Sequence, residues 1–347
     1  NSSDPLIISG PCSAETYDQL HETCKQLKSN GINLMRAGVW KPRTRPGTFE
    51  GNGEEALKWI SDIKKELNVQ FTVEVANTTH IDLALKYGID VLWIGARTTV
   101  NPFSVQEIAD AIKGTDTPVL IKNPINPDLS LWMGALERVN KVGINKIGAI
   151  HRGFSITGNS KYRYAPMWKI AIDLKSNIPN LPVICDPSHI CGNRDMIFET
   201  SQKALDLGYD GLIIESHIDP DNAWSDAKQQ VTPASLLKIK NDLKVKNTKE
   251  KDRSYKHLLE EIRENIDDVD KEIIDIIAKR ISLVEKIGEF KKEQDLTTFQ
   301  VDRWNKIFKS RIKWALDKNL DKDFIEDLYK VIHLGSINVQ NKIINKK

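Results

Sequence analysis

Cysteine is scarce: the 347 residues hold four, Cys12, Cys24, Cys185 and Cys191, and no two of them form a CxxC pair. That argues against a disulfide scaffold and fits reduced thiols. Long apolar runs are missing as well. No stretch approaches 18 uninterrupted apolar residues, and the opening Asn-Ser-Ser-Asp-Pro has neither a basic region nor a long apolar core. The expectation is a soluble, cytoplasmic protein. Charge of one sign is not in excess either, since Lys+Arg 50 against Asp+Glu 48 leaves a formal net charge of +2. Nothing pulls the whole chain toward nucleic acid or an anionic membrane, so any anion site must be local. No G-x-G-x-x-G opens the first strand-to-helix turn, which weakens a dinucleotide-binding open sheet. Proline is absent from Ser254 onward, where glycine falls to Gly288 and Gly335.

What the chain does contain, up to about Ser216, is a regular alternation. Eight short apolar runs are Leu6–Cys12, Asn33–Trp40, Phe71–Ala76, Val91–Ala96, Val119–Pro124, Lys146–His151, Val183–Ser188 and Gly211–Ser216. Between them lie segments with apolar residues at helical spacing, among them Thr16–Lys28, Glu54–Leu67, His80–Lys86, Leu131–Lys141 and Tyr164–Ser176. Near-continuous apolar strands joined by helices imply parallel pairing with both faces covered. Eight repeats point to a closed (β/α)8 TIM barrel over residues 1–243, with its chemistry on the rim where the strands end. A lysine-rich linker, 244–253, follows. The segment 254–347 then reads as three helices, Tyr255–Lys292, Val301–Lys318 and Asp323–Ile344. The first carries the stripe Leu258, Ile262, Ile266, Val269, Ile273 and Ile277. It is too long for two short partners to cover, so a second copy of the chain is expected.

Charge concentrates at the strand ends. Arg36, Lys41, Arg43 and Arg45 crowd one loop, fixed by Pro42 and Pro46, that reads as a rigid holder for phosphate or carboxylate. An ordinary basic surface loop is the alternative that the rest of the rim has to decide against. Arg97, Lys122 and Arg152 follow strands four, five and six. Cations converging from several strands call for dianionic ligands. Glu74 reaches the same rim, where it would bind a water or balance charge. Cys12, His189, Glu215 and Asp226 form a mixed S, N and O set suited to a divalent transition ion, manganese first, with iron, cobalt or zinc as alternatives.

Gly10-Pro-Cys-Ser-Ala-Glu15, Lys41-Pro-Arg-Thr44, Ile94-Gly-Ala-Arg97, Lys122-Asn-Pro124, Asp186-Pro-Ser-His189 and Glu215-Ser-His217 with Ala223-Trp-Ser-Asp226 together resemble 3-deoxy-D-arabino-heptulosonate 7-phosphate (DAHP) synthase of the compact type I-beta group. The resemblance implies a barrel that condenses phosphoenolpyruvate with erythrose 4-phosphate. It implies Cys12, His189, Glu215 and Asp226 as metal ligands, and Lys41, Arg97, Lys122 and Arg152, with Arg36 on the same side, at phosphoenolpyruvate. Arg43 and Thr44 fall at the acceptor phosphate; Arg45 stays unassigned. His217, two residues past Glu215, is left between supporting a ligand, moving a proton and a structural place.

Further on, Ile262-Arg-Glu-Asn-Ile266, Ala278-Lys-Arg280, Ile287-Gly-Glu-Phe-Lys291, Asp302-Arg303 and Ser336 with Gln340 resemble the all-helical class of chorismate mutase. That resemblance implies an interlocked dimer in which Arg280, Lys291, Arg303, Ser336 and Gln340 line one pocket and Arg263 enters it from the other chain. Arginines would clamp the carboxylates of chorismate, and Lys291 with Gln340 would serve its ether oxygen. Two positions depart from that pattern: Trp304 stands where the family commonly has an acidic residue, and Gln300 where some members have Asp. The leading expectation is a bifunctional enzyme of aromatic amino acid biosynthesis. The alternative makes the helical domain mainly a dimerisation module that senses chorismate or prephenate. With the first strand opening at Leu6, control of the barrel is expected from the helical domain rather than from a module ahead of it.

Overall fold

Eight strands, each apolar along nearly its whole length, carry the N-terminal part of the chain. The computed structural model describes residues 5–41, 47–158, 160–246 and 253–346, with side chains from residue 258 in the last stretch. Pro42, Arg43, Thr44, Arg45, Pro46 and linker residues 247–252 lie outside the described residues. The chain divides into two compact units, Asn1–Thr248 and Lys249–Lys347.

In the first unit the order is β1 (Leu6–Gly10), α1 (Tyr17–Ser29), β2 (Leu34–Arg36), α2 (Glu54–Leu67), β3 (Gln70–Val75), α3 (Thr78–Lys86), β4 (Val91–Ile94), α4 (Ala96–Thr99) and α5 (Pro102–Ile112). It continues with β5 (Val119–Lys122), α6 (Leu129–Lys141), β6 (Ile147–His151), α7 (Trp168–Asn177), β7 (Val183–Cys185), α8 (Pro187–Cys191), α9 (Ile197–Asp206), β8 (Gly211–Glu215) and α10 (Pro233–Asp242). Every strand pairs parallel with its neighbour in sequence, and β1 pairs with β8, so the sheet closes into a barrel. Ile8, Trp93, Leu120, Ile150, Ile184 and Ile213 fill its interior. A larger apolar shell, with Leu20, Leu57, Ile60, Ile108 and Trp132 among its members, glues the helices to the outside. Truncating one such side chain to Ala costs roughly 2–5 kcal/mol, because its neighbours collapse only partly into the space.

Helix starts show where apolar spacing alone misleads. Helices α3, α5 and α6 begin a few residues before their first core residue, because Asn77, Asn101 and Asp128 accept hydrogen bonds from first-turn N–H groups. Helix α7 begins at Trp168 instead of Tyr164: Ala165 forms an antiparallel bridge with Phe154, and Pro166 favours an extended residue before it. The short helices α4 and α8 are new, and both sit just past strand ends on the rim.

The second unit has three helices, α11 (Arg253–Glu293), α12 (Val301–Leu316) and α13 (Lys322–Ile344), with α13 packing on both of the others. Among its described residues few are buried: Val284, Gly288, Ile307, Ala315 and Ile325, with Lys291, Ser336 and Gln340. Ile262, Ile266, Val269, Ile273 and Ile277 remain 40–54% exposed along α11. No described helix is long and apolar enough to cross a membrane. All four cysteines are buried and free.

Candidate active site

The rim of the barrel gathers side chains that are far apart in sequence. Cys12 follows β1, Glu215 ends β8 and Asp226 lies in the loop beyond; a ligand atom from each falls within 4.8 Å of the other two. Cys12 Sγ lies 3.6 Å from Asp226 Oδ2. His189 completes the group on α8, with Nε2 3.8 Å from Glu215 Oε1. Its tautomer follows from its partner: Asp186 accepts from both the backbone N–H and the ring Nδ1 of His189, at 3.0 Å each, which leaves Nε2 as a lone pair facing Glu215. Asp186 also pairs with Lys122 at 3.0 Å, and its contacts with His189 and Lys122 hold its carboxyl well below the usual range despite complete burial.

Two neutral amides lock the set from behind. Gln229 donates to Glu215 Oε2 at 2.6 Å and accepts from Arg163 at 2.7 Å, and the same Arg163 nitrogen reaches Asp226 Oδ1 at 3.2 Å. Gln230 accepts from the Cys12 N–H at 2.8 Å and donates to the Ser225 carbonyl at 2.9 Å. Asp226 itself sits in the left-handed backbone region, φ 47°, a conformation Asp tolerates better than most residues. Burial disfavours its charge, but Arg163, His189 and Lys41 bring its carboxyl down to about 2.

The donor set fits a divalent transition ion. Glu215 Oε1 is buried and has no hydrogen-bond partner, although Arg36 stands 3.2 Å away. A buried anionic oxygen so poorly satisfied is what a cation would complete. Burial and the Glu215 charge push the Cys12 thiol up to about 11, so the thiolate a metal requires forms only as the metal displaces the proton.

Next to these ligands lies a cavity of about 80 Å³ lined by Lys41, Glu74, Arg97, Lys122, Arg152, His189 and Asp226, with Ala96 and Ile125. Lys41 Nζ donates to Cys12 Sγ at 3.0 Å and to the Cys12 carbonyl, and residue 38 must be glycine because a Cβ there would fall 2.0 Å from that carbonyl oxygen. Glu74 accepts from Trp93 Nε1 at 2.9 Å. Gly95 makes room for it, since a Cβ would meet its carboxylate at 2.1 Å. Arg152 stacks over the Tyr164 ring at 3.5 Å and keeps a buried Nη1 without a partner.

Not every expected residue faces the cavity. Arg36, expected on the phosphoenolpyruvate side, is 2% exposed, pairs with Glu215 and lies 5.2 Å from the centroid of Trp93, outside the cavity lining. Arg43 and Thr44 lie outside the described residues. His217 is also away from the cavity: its Nε2 meets Glu15 Oε2 at 3.3 Å and its Nδ1 accepts from the Asp219 N–H at 2.9 Å. Glu15 in turn accepts from Trp224 N–H at 2.8 Å, so His217 helps anchor the loop that carries Asp226. Asp186, Gln229, Gln230 and Arg163 had no assigned role in the sequence; only the carboxylate after β7 offered a signal, inside Asp186-Pro-Ser-His189.

The helical unit holds a second cluster. Arg280 Nη1 donates to Ser336 Oγ at 2.5 Å, and Lys291 Nζ donates to the Thr298 carbonyl at 2.6 Å. Burial lowers the pKa of Arg280, and the nearby charges of Arg311 and Arg303 lower it further. Gln340 Oε1 is buried without a partner. Arg263 is half exposed on α11 and pairs with Glu260 at 2.6 Å.

Comparison with known proteins agrees with both units. Residues 1–251 match the model of the DAHP synthetase I family, and residues 262–341 match that of chorismate mutase type II. A phospho-2-dehydro-3-deoxyheptonate aldolase of Thermotoga maritima is 30% identical over 225 residues, 65% of this chain, and the chain spans 64% of that relative's length. A 2-dehydro-3-deoxyphosphooctonate aldolase of Brucella ovis is 27% identical, covering 69% of this chain and 91% of the relative. A crystal structure of the T. maritima heptonate aldolase (DAHP synthase) superposes with a TM-score of 0.62 at 27% identity, covering 70% of this chain and 68% of that one.

Proposed function

Because the chain belongs to the DAHP synthetase I family, we propose that its barrel condenses phosphoenolpyruvate with erythrose 4-phosphate, giving DAHP and inorganic phosphate. One observation carries this reading: a four-donor set, Cys12, His189, Glu215 and Asp226, borders a cavity walled by cations and one carboxylate. Arg97, Lys122 and Arg152 hold the phosphate and carboxylate of phosphoenolpyruvate, and Lys41 stands between that substrate and Cys12. The enol carbon forms a bond to the aldehyde carbon, water adds at the carbon bearing phosphate, and the C–O bond to phosphate breaks. A metal ion bound by the four donors, manganese in the first instance, would polarise the aldehyde carbonyl. Glu74, oriented by Trp93, is placed to hold the attacking water. Lys122 and Arg152 stay on the departing phosphate, and fixing two anions side by side supplies much of the rate. Arg43 and Thr44 take the acceptor phosphate.

An acceptor panel with phosphoenolpyruvate tests the substrate. Erythrose 4-phosphate is expected to lead, with Arg43→Ala raising its KM far more than that of phosphoenolpyruvate. A preference for arabinose 5-phosphate would move the chain toward the octonate branch that the Brucella relative represents.

The metal reading makes a pH prediction. Below pH 11 the Cys12 thiol is protonated, so binding releases one proton, and the apparent affinity should rise about tenfold per pH unit. His189 adds nothing above neutrality, since burial lowers its pKa from 6.5. Competition against a metallochromic chelator between pH 7 and 8.5 measures the slope; a flat profile removes Cys12 from the set. Chelation should abolish synthase turnover and leave mutase turnover intact.

We further propose that the helical unit is a chorismate mutase that converts chorismate to prephenate and pairs with a second copy through the exposed stripe of α11. Arg280, Arg303 and Ser336 hold the carboxylates, Lys291 and Gln340 the ether oxygen, and Arg263 serves the neighbouring copy's pocket. Segment 254–347 should be a dimer by sedimentation and should convert chorismate. A dimer that binds prephenate without turnover supports the sensing role instead. The chain works in the cytoplasm in this reading.

A further inference from the structure

We infer that His333 is a specificity-determining residue that recognises the hydroxyl group of a hydroxylated cyclic dicarboxylate in the helical pocket, a statement that rests on the mutase reading above. One face of α13 presents Tyr329, His333, Ser336 and Gln340, spaced by four, three and four residues. Opposite it, α11 brings Arg280 and Lys291, and α12 brings Arg303 and Trp304.

The inventory of donors and acceptors leaves one need unmet. Arginine and lysine only donate. Ser336 already accepts from Arg280 and donates to the Ile332 carbonyl at 2.8 Å. These groups suit two carboxylates, but a ligand hydroxyl also needs an acceptor. Among the described residues of this cluster two buried atoms lack partners: Gln340 Oε1, an acceptor, and His333 Nδ1, an acceptor when the ring carries its proton on Nε2. Gln340 is assigned to the ether oxygen through its amide N–H, so of the two acceptors we take His333, about two turns of α13 away from that group, for the hydroxyl. Its ring is held edge-on to Trp304, with centroids 4.6 Å apart and planes at 67°, and Trp304 rests on Phe308 at 4.8 Å. A ring fixed in that way presents its nitrogen in one direction.

The charges around the imidazole keep it an acceptor. Burial first, then Arg280, Arg303 and Lys291, lower its pKa from 6.5, so in the free protein it is neutral at pH 7. Lys330, one turn earlier on α13, is tied to Glu326 and Asp327 at 3.0 Å each. When a dianion docks on the three cations their field is offset, and the imidazole pKa rises. A proton on Nδ1 would remove the acceptor, so the preference for the hydroxylated ligand should fall toward acid pH.

The test uses the full chain with chorismate and its 4-deoxy analogue. The wild-type chain should prefer chorismate by about 10- to 100-fold in kcat/KM, the effect of leaving a buried acceptor unpaired. His333→Leu keeps the bulk against Trp304 and should bring that ratio close to one. His333→Asn returns an acceptor near the Nδ1 position and should restore most of it. The wild-type ratio should fall toward acid pH as protonation removes the acceptor, and that of His333→Asn should stay level. An unchanged ratio in His333→Leu, or an equal loss for both compounds, overturns the assignment. If His333→Leu does not fold, the wild-type ratio and its pH profile still decide it: no hydroxyl preference, or a preference that does not fall toward acid pH, rejects the role. Failure of the mutase reading looks different, as a wild-type chain that neither converts chorismate nor binds prephenate.

Discussion

Glu215→Gln should lower the melting temperature of the barrel unit by roughly 6–20 °C while abolishing synthase turnover. Arg36 and Glu215 are 2% and 0% exposed and 3.2 Å apart, and the Arg36 Nε and Nη1 have no hydrogen-bond partner of their own. Removing the carboxylate charge strands a guanidinium in the barrel core, which costs about 3–5 kcal/mol, and a domain of this size loses about 2–4 °C per kcal/mol. The double variant Arg36→Met, Glu215→Leu should recover most of the stability, because two apolar groups of similar volume remove both buried charges. Its synthase turnover should stay down by more than about 100-fold, since a ligand is gone. Calorimetry in the presence of chelator, paired with a phosphate-release assay, separates the two roles. Double-variant melting as low as that of the single variant would show that Arg36 is not the reason for the loss.

The second large effect belongs to the helical unit. Arg280→Ala should lower chorismate turnover by about 10²–10³-fold, the cost of one preorganised charged donor in a site built on such donors. The helical circular dichroism should persist, because Arg280 contributes a hydrogen bond to Ser336 and no part of the apolar core. The same change removes one of the cations acting on His333, whose pKa should move up toward 6.5. Titration of the His333 ring by NMR in Arg280→Ala measures that directly. Near-normal turnover in this variant would take Arg280 out of the carboxylate clamp.

How much of this was legible in the sequence depends on the kind of signal. The strands were readable because parallel strands buried on both faces carry no polar alternation, and their ends then located Cys12, His189, Glu215 and Asp226. Arg36 was visible as a cation, but its partner was not, because Glu215 reaches it only after the sheet closes. Asp186 looks like an ordinary helix cap, which it also is; its grip on His189 and Lys122 depends on the distance between two strand ends. Gln229 and Gln230 carry no charge and interrupt no pattern, so nothing marks them until their amides are seen spanning the ligands. His333 sits where helical spacing alone suggests packing. Its neighbours on α11 and α12 give it a different meaning.

The pairing of β1 with β8 sets a condition on when the site can exist. Cys12 comes from the first strand, Glu215 from the last and Asp226 from beyond it, and the Cys12 N–H is held by Gln230. A chain still emerging from the ribosome has the first ligand long before the others, and those distant contacts offset the entropy of closing so long a loop only at the end. The candidate metal centre is thus a late product of folding, and a chain truncated before β8 would leave Cys12 as a lone buried-type thiol with no carboxylate to join it.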